Sequence, residues 1–475
     1  MLIGGELTIG TGGQWMESVD PATEEPIGRV PLAEAADVAR AVDAARRAQP
    51  GWAARPVTER GQLLREVARR LLERQQEILT LEVRDTGNTI GKMRGDLGAA
   101  AAQIDYYAGL GLEIKGETIP ASAKALHLTL REPYGVVGRI VPFNHPIYFA
   151  MSALAGPLTA GNAVVIKPPD QSPLSAAILG EVCRDVLPAG VVNIVSGPGA
   201  VTGDALVRHP LVRRIAFTGS VPTGLAIQRA AAETCVKHVS LELGGKNPMI
   251  VFPDVAPEKA ADAAVAGMNF AWQGQSCGST SRLMVHESIY QKVVDGIAAR
   301  VSGLRLGSPL DEQSQMGPIN SKRQFDRVLH YIEAGKHDGA KLVAGGNRPK
   351  GNGFARGYWV EPSVFADVSM SMRVAREEIF GPVLSILRWS TVDEAVALAN
   401  ATEYGLTAAI WTDDLKAALD LARRVEAGYV WINGTSAHHR GTPFGGMKNS
   451  GIGREECLDE LLSYTQTKAI HITMA

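Results

Sequence analysis

The first long stretch of the chain, from Pro31 to about Arg94, places apolar residues at helical spacing. Leu63, Leu64, Val67, Leu71 and Leu72 make one stripe with arginines on the other side, the pattern of an amphipathic helix. Pro56 breaks the pattern, and Thr58, followed by Arg60 and Gln62, marks a helix start. Between about Lys115 and Glu132 the period shortens to two. Leu126, Leu128 and Leu130 alternate with His127 and Thr129, which predicts a half-buried strand and one arm of a hairpin. Beyond Tyr134 short apolar runs alternate with helical segments. Residues 135–143, 163–168, 190–197, 213–220 and 238–245 read as strands, with helices beginning near Pro146, Leu174 and Pro222. This alternation predicts an α/β fold built on a doubly wound parallel sheet. Ligands of such sheets bind beyond the carboxyl ends of the strands, so the residues just after each strand are where chemistry is expected.

Composition narrows the class without naming a reaction. The 475 residues exceed one ordinary core and predict about three units, some discontinuous. A hydrophobic share of 45% with 21% charged residues is that of a globular enzyme. A net charge of −2 gives no electrostatic reason to expect nucleic acid or an anionic membrane as partner. No apolar stretch reaches the ~18 residues needed to cross a bilayer, and the first ten residues do not read as a signal peptide. The four cysteines, Cys183, Cys235, Cys277 and Cys457, are scattered without metal-ligand spacing. Free thiols, no metal and a cytoplasmic setting are therefore expected.

The strand ends carry the candidate chemistry. Cys277 lies in a turn between Gly274 and Gly278 beside Ser276 and Ser279, an open approach that a core cysteine does not need. Glu242 ends an apolar strand ahead of two glycines, as a base at a cleft mouth or as a solvated strand-end acid. Asn144 stands between a strand and Pro146, a place from which a side chain caps the next helix. Thr218, Gly219 and Ser220 open a helix directly after a strand, a start that suits a pyrophosphate. Gly199 and Gly203 follow another strand in a spacing that departs from the usual dinucleotide fingerprint.

Taken in order, Pro142-Phe143-Asn144, Lys167-Pro168-Pro169-Asp170, Gly197-Pro198-Gly199, Thr218-Gly219-Ser220, Glu242-Leu243-Gly244-Gly245 and Gly274-Gln275-Ser276-Cys277 resemble the aldehyde dehydrogenase superfamily. The resemblance continues through Glu377-Glu378-Ile379-Phe380-Gly381-Pro382, Pro443-Phe444-Gly445-Gly446 and Ser450-Gly451-Ile452-Gly453-Arg454-Glu455, and so spans nearly the whole chain. It implies oxidation of an aldehyde to the acid with hydride transfer to NAD(P), through a thiohemiacetal and a thioester. In that scheme Cys277 is the nucleophile, Asn144 steadies the oxyanion and Glu242 activates water against the thioester. The same resemblance assigns the cofactor to Phe143, Lys167, Asp170, Gly199, Gly203, Thr218, Gly219, Ser220, Glu378 and Phe380. A carboxylate at Asp170 suits a ribose diol and repels a 2′-phosphate, so NAD is favoured over NADP, which stays open. Lys246 and Arg282 are expected to be structural ion partners, and Glu455 a solvated or salt-bridged acid.

The resemblance also implies an architecture. Residues 1–114 and 134–245 would form the NAD-binding domain, 246–447 the catalytic domain, and 115–133 with 448–475 a small β extension for oligomerisation. A homodimer or homotetramer is expected, because bare edge strands invite pairing. The small-molecule aldehyde is the least legible element. His145 and Phe149, beside Asn144, and His438 and Arg440, in the variable loop 434–442, are its candidate contacts. They point to a polar, hydroxylated or carboxylate-bearing aldehyde, against a merely solvated loop. The rivals are a coenzyme-A-acylating dehydrogenase, which generally lacks a glutamate at the position of Glu242, and a non-catalytic scaffold of the same fold. A cysteine hydrolase is less favoured, since no histidine stands in a partner motif.

Overall fold

The computed structural model describes residues 1–474. Two open α/β sheets dominate it. In the first, of eight strands, five are parallel, in the spatial order Val192–Ile194, Ala163–Lys167, Val136–Ile140, Val212–Thr218, His238–Glu242. The strand order reverses between Val136–Ile140 and Val212–Thr218, and the loops carrying Asn144 and Thr218 leave the sheet at that switch point. The expected doubly wound parallel core is present, and short strands at its margins make the whole sheet mixed. Leu2–Ile3 and Gly451–Ile452 add antiparallel strands on opposite sides, with Glu6–Leu7 beyond the first. The second sheet has seven strands around a parallel centre of Val383–Trp389, Arg282–His286 and Pro248–Val251, with one antiparallel edge strand, Lys341–Ala344.

Both sheets bury apolar strands against helices on each face, which accounts for the near-continuous hydrophobic runs. The N-terminal helical region divides into Ala35–Ala53, Val57–Glu73, Gln75–Thr86 and Ile90–Gly109. Leu64, Val67 and Leu71 of its stripe are fully buried, whereas Leu72 is 39% exposed and lies off the packed face. Among the described residues no helix is long and apolar enough to cross a membrane, and no group of side chains could hold a metal ion.

The segment with period two forms the strand Ala125–Pro133, which pairs antiparallel with Thr465–Thr473 on one side and Thr118–Ile119 on the other. Leu126 and Ile472 face each other across this ladder and both stay exposed, at 40% and 46%, with Leu130 at 43%. The strand is thus paired along its edges, while an apolar stripe on its face is left uncovered by the chain.

Candidate active site

Glu242 is the last residue of its strand, and the chain clamps it from both sides. Its carbonyl accepts the N–H of Gly219 at 3.0 Å, joining it to the Thr218-Gly219-Ser220 turn. Leu243 N–H donates to the Ser450 carbonyl at 2.9 Å, and Ser450 Oγ donates to the Gly244 carbonyl at 2.7 Å. The Gly445 backbone runs so close that a Cβ there would lie 2.8 Å from Glu242 Oε1. Both carboxylate oxygens are buried without a hydrogen-bond partner. Burial, followed by repulsion from Glu455, holds this carboxyl well above the usual carboxylate range.

Cys277 follows a short helical turn, Phe270–Trp272, that ends in residues at positive φ: Gln273 at 52° and Gly274 at 67°. A Cβ on Gly274 would meet the Gly381 carbonyl oxygen at 2.3 Å, so the turn needs glycine in both space and conformation. Asn247 Nδ2 donates to the Cys277 carbonyl at 2.6 Å and fixes the loop to the second sheet. The thiol is half-buried. Burial first, then the carboxylates of Glu378, Glu242 and Glu455, pushes it up to about 12.

Asn144 precedes the cap position of the helix Pro146–Thr159, which no side chain caps, so it does not serve as the plain helix cap. Its carbonyl accepts from Asn88 Nδ2 at 2.8 Å, and Gln273 Nε2 donates to the neighbouring Gly87 carbonyl at 2.9 Å. The loop 86–89 thus ties the Asn144 turn to the Cys277 turn. Ring contacts close the same seam, with His145 against Trp272 at 5.2 Å and Phe143 against Phe380 at 5.7 Å. Phe380 takes a positive φ of 57°, and Gln324 Nε2 holds its carbonyl at 2.7 Å. Glu378 accepts from Gly245 N–H at 3.1 Å, and burial pushes its carboxyl up to about 7.

Lys167 pairs with Asp170, whose other oxygen accepts Gly199 N–H at 3.1 Å. Gly199 and Gly203 bound a single wide helical turn, and a Cβ on either would meet no part of the chain. Ser220 begins the helix Val221–Ala232 but does not cap it; its hydroxyl bonds Thr223 Oγ1 at 2.9 Å instead.

Two expectations are corrected. Lys246 pairs with no carboxylate: its ammonium nitrogen is buried without a partner, and burial lowers it to about 7. Arg282 donates to the carbonyls of Lys246, Leu398 and Ala399 rather than to an acid, so it ties loops together without an ion pair. Glu455 lies 3.5 Å from Arg139, in accord with the salt-bridged reading. Of the variable-loop residues, His438 Nδ1 sits 3.1 Å from Glu456 within a ring cluster of Tyr429 and Phe444, and Arg440 donates to the Ala99 carbonyl at 3.1 Å. Phe149 lies against the His145 ring at 6.2 Å. Asn88, Asp96 and Glu456 hold these groups in place without having been singled out in sequence, since their partners are distant along the chain.

The model of the family described as aldehyde dehydrogenase matches residues 9–470. The aldehyde dehydrogenase tropH of Talaromyces stipitatus is 44% identical over 465 residues, covering 96% of this chain and 90% of its own. PnpE of Pseudomonas sp. WBC-3, solved in complex with nicotinamide adenine dinucleotide, shares 40% identity and a TM-score of 0.97, over 100% of this chain and 97% of that one. The NAD+ complex of an aldehyde dehydrogenase from Bacillus cereus gives 39% identity and a TM-score of 0.97, over 100% and 96%.

Proposed function

Since the chain belongs to the aldehyde dehydrogenase family, we propose that it oxidises an aldehyde to the free carboxylic acid with NAD(P), using Cys277 as nucleophile, Asn144 as oxyanion donor and Glu242 as base. The observation that carries this reading is a thiol in a glycine-held turn, raised first by burial and then by the buried carboxyl groups of Glu378 and Glu242. A scaffold would have no reason to keep an unpartnered carboxylate buried at that point, because such a group costs stability when ionised.

The residues present fit the dinucleotide. Helix Val221–Ala232 starts without a side-chain cap, leaving its first N–H groups free for a phosphate. Nothing in the chain requires glycine at positions 199 and 203, so the bare backbone there suits close approach of a ligand. Lys167 and Asp170 offer a cation and an acid to the ribose hydroxyls. Glu378, Phe380 and Phe143 would hold the nicotinamide end. When bound, oxidised NAD(P) accepts the hydride equivalent and brings positive charge into the cleft.

The chain's own part begins with the sulfur. A thiol at about 12 is almost wholly protonated at neutral pH, so Cys277 gives its proton to solvent as it attacks. Cys277 Sγ adds to the carbonyl carbon, and the Asn144 amide donates to the oxygen that becomes negative. Once the adduct is oxidised, an acyl thioester remains on Cys277. Glu242 then draws a proton from water, whose oxygen attacks the acyl carbon, and returns that proton to the departing sulfur; the acid leaves and the thiol is restored.

Incubation with a panel of aldehydes and NAD or NADP is expected to yield NAD(P)H and the free acid, with neither rate nor product changed by coenzyme A. Formation of the acyl-coenzyme A product would establish the acylating alternative instead. For Asn144→Ala, kcat should fall about 10²–10³-fold, a barrier increase of about 3 kcal/mol. Steady-state rates on a folded variant test this, and a loss under tenfold would remove Asn144 from the oxyanion site.

The exposed stripe of Leu126, Leu130 and Ile472 further supports a homodimer or homotetramer, in which a second copy covers this face. Light scattering should give an oligomeric mass for the native chain and a smaller one for Leu126→Glu/Leu130→Glu. A monodisperse monomer at micromolar concentration would defeat the assignment.

A further inference from the structure

We infer that the cleft takes an aldehyde whose flat, aromatic body carries a hydroxyl group, and that the His145–Asp96 couple receives that hydroxyl; the inference rests on the aldehyde-oxidising reading above. His145 directly follows Asn144, so the two side chains leave adjacent positions of one backbone turn. Its Nδ1 is 2.6 Å from Asp96 Oδ2 on the helix Ile90–Gly109, and the two side chains are only 16% and 12% exposed.

This pairing fixes what the other ring nitrogen can do. If the imidazole is neutral, Nδ1–H donates to Asp96 and Nε2 presents a lone pair. If it is protonated, Nε2 presents a hydrogen. A hydroxyl both donates and accepts, so it satisfies either state. No protein group among the described residues bonds Nε2. The adjacent Trp272 indole N–H is buried and also has no partner. The two polar atoms thus lie among flat rings, with Trp272 and Phe149 at 5.2 and 6.2 Å from the imidazole and Tyr148 5.3 Å from Phe149.

Charge separates a hydroxyl from the carboxylate tail that the sequence also allowed. His145 is matched to Asp96 and His438 to Glu456. Such a couple is neutral when the ring is protonated and carries one negative charge when it is not. It is never positive. Lys92, 5.6 Å over the Trp272 ring, and Arg440, which donates to the Ala99 carbonyl, are cations of this region. A carboxylate placed at His145 would face Asp96 directly.

The test compares benzaldehyde, 4-hydroxybenzaldehyde and 4-formylbenzoate by kcat/KM for wild type, His145→Phe and Asp96→Asn. It is paired with tryptophan-fluorescence titration by benzamide and 4-hydroxybenzamide, which cannot be oxidised. Wild type should favour the hydroxylated aldehyde over benzaldehyde by about 10–100-fold, since a site built to bond a hydroxyl penalises its loss, and should favour the hydroxylated amide in the same direction. Both variants should bring these ratios toward one, and Asp96→Asn keeps the test open if His145→Phe does not fold. A wild-type ratio near one, an unchanged ratio in the folded variants, or a preference for 4-formylbenzoate would overturn the inference. Selective amide binding without turnover of any aldehyde would instead count against the oxidation reading while sustaining this one.

Discussion

Replacing Cys277 by alanine is expected to lower kcat by at least about 10⁴-fold, the scale on which covalent enzymes lose activity with their nucleophile. Every later step of the proposed chemistry happens on that sulfur, so no other group can supply a partial pathway. The fold should survive, because Cys277 is half-buried at the edge of its core and the turn is held by Gly274, Gln273 and Asn247 rather than by the side chain. Serine is not expected to rescue, since its hydroxyl is a far weaker nucleophile in a cleft that already pushes a thiol up to about 12. Stopped-flow absorbance of NADH with intact-protein mass spectrometry checks both parts: wild type should accumulate an acyl adduct and the variant none. A folded Cys277→Ala enzyme retaining more than a tenth of wild-type activity would end the covalent scheme.

The second large effect is expected at Glu242. Glutamine there keeps the shape but cannot accept a proton, so hydrolysis of the thioester should slow about 10²–10⁴-fold. If wild-type turnover is limited elsewhere, the first turnover can outlast this loss, and the variant should release close to one NADH per site before stalling. The pH profile follows from the sign of the shift. Burial raises the Glu242 carboxyl, so wild-type activity should fall on the acid side at a pH above the ordinary carboxylate range. Glu242→Gln should lose that limb. A raised carboxyl favours the folded state at low pH and costs stability as the pH rises through its folded value. Glu242→Gln should therefore unfold at a higher temperature than wild type at alkaline pH while being far slower. A variant without a burst, or with the wild-type acid limb, would point to another base.

The strands and their order of residues were largely readable, because the five parallel strands are short and rich in buried apolar residues and their ends concentrate glycine, proline and polar groups. What could not be read depends on pairing across distance. The strand Gly451–Ile452 is two residues long and shows no period, yet it adds to the first sheet by meeting Leu241 and Glu242. The charge of the variable loop misleads for the same reason: His438 and Arg440 look cationic in sequence, but Glu456 and the Ala99 carbonyl, which engage them, are visible only in the fold. Lys246 misled in the opposite sense. A lysine beside glycines reads as a structural ion partner, whereas the fold leaves its nitrogen buried and unpaired.

The antiparallel strand laid beside Glu242 bears on how the molecule is made. Its residues leave the ribosome long after the strand they join, once the entire second sheet has emerged. Until then the edge bearing Leu241 and Glu242 has no neighbour on that side and is open to mispairing. The carboxylate on which the proposed hydrolysis depends is consequently enclosed among the last steps of maturation, and a nascent chain released early would carry both reactive groups without the wall that shuts water out.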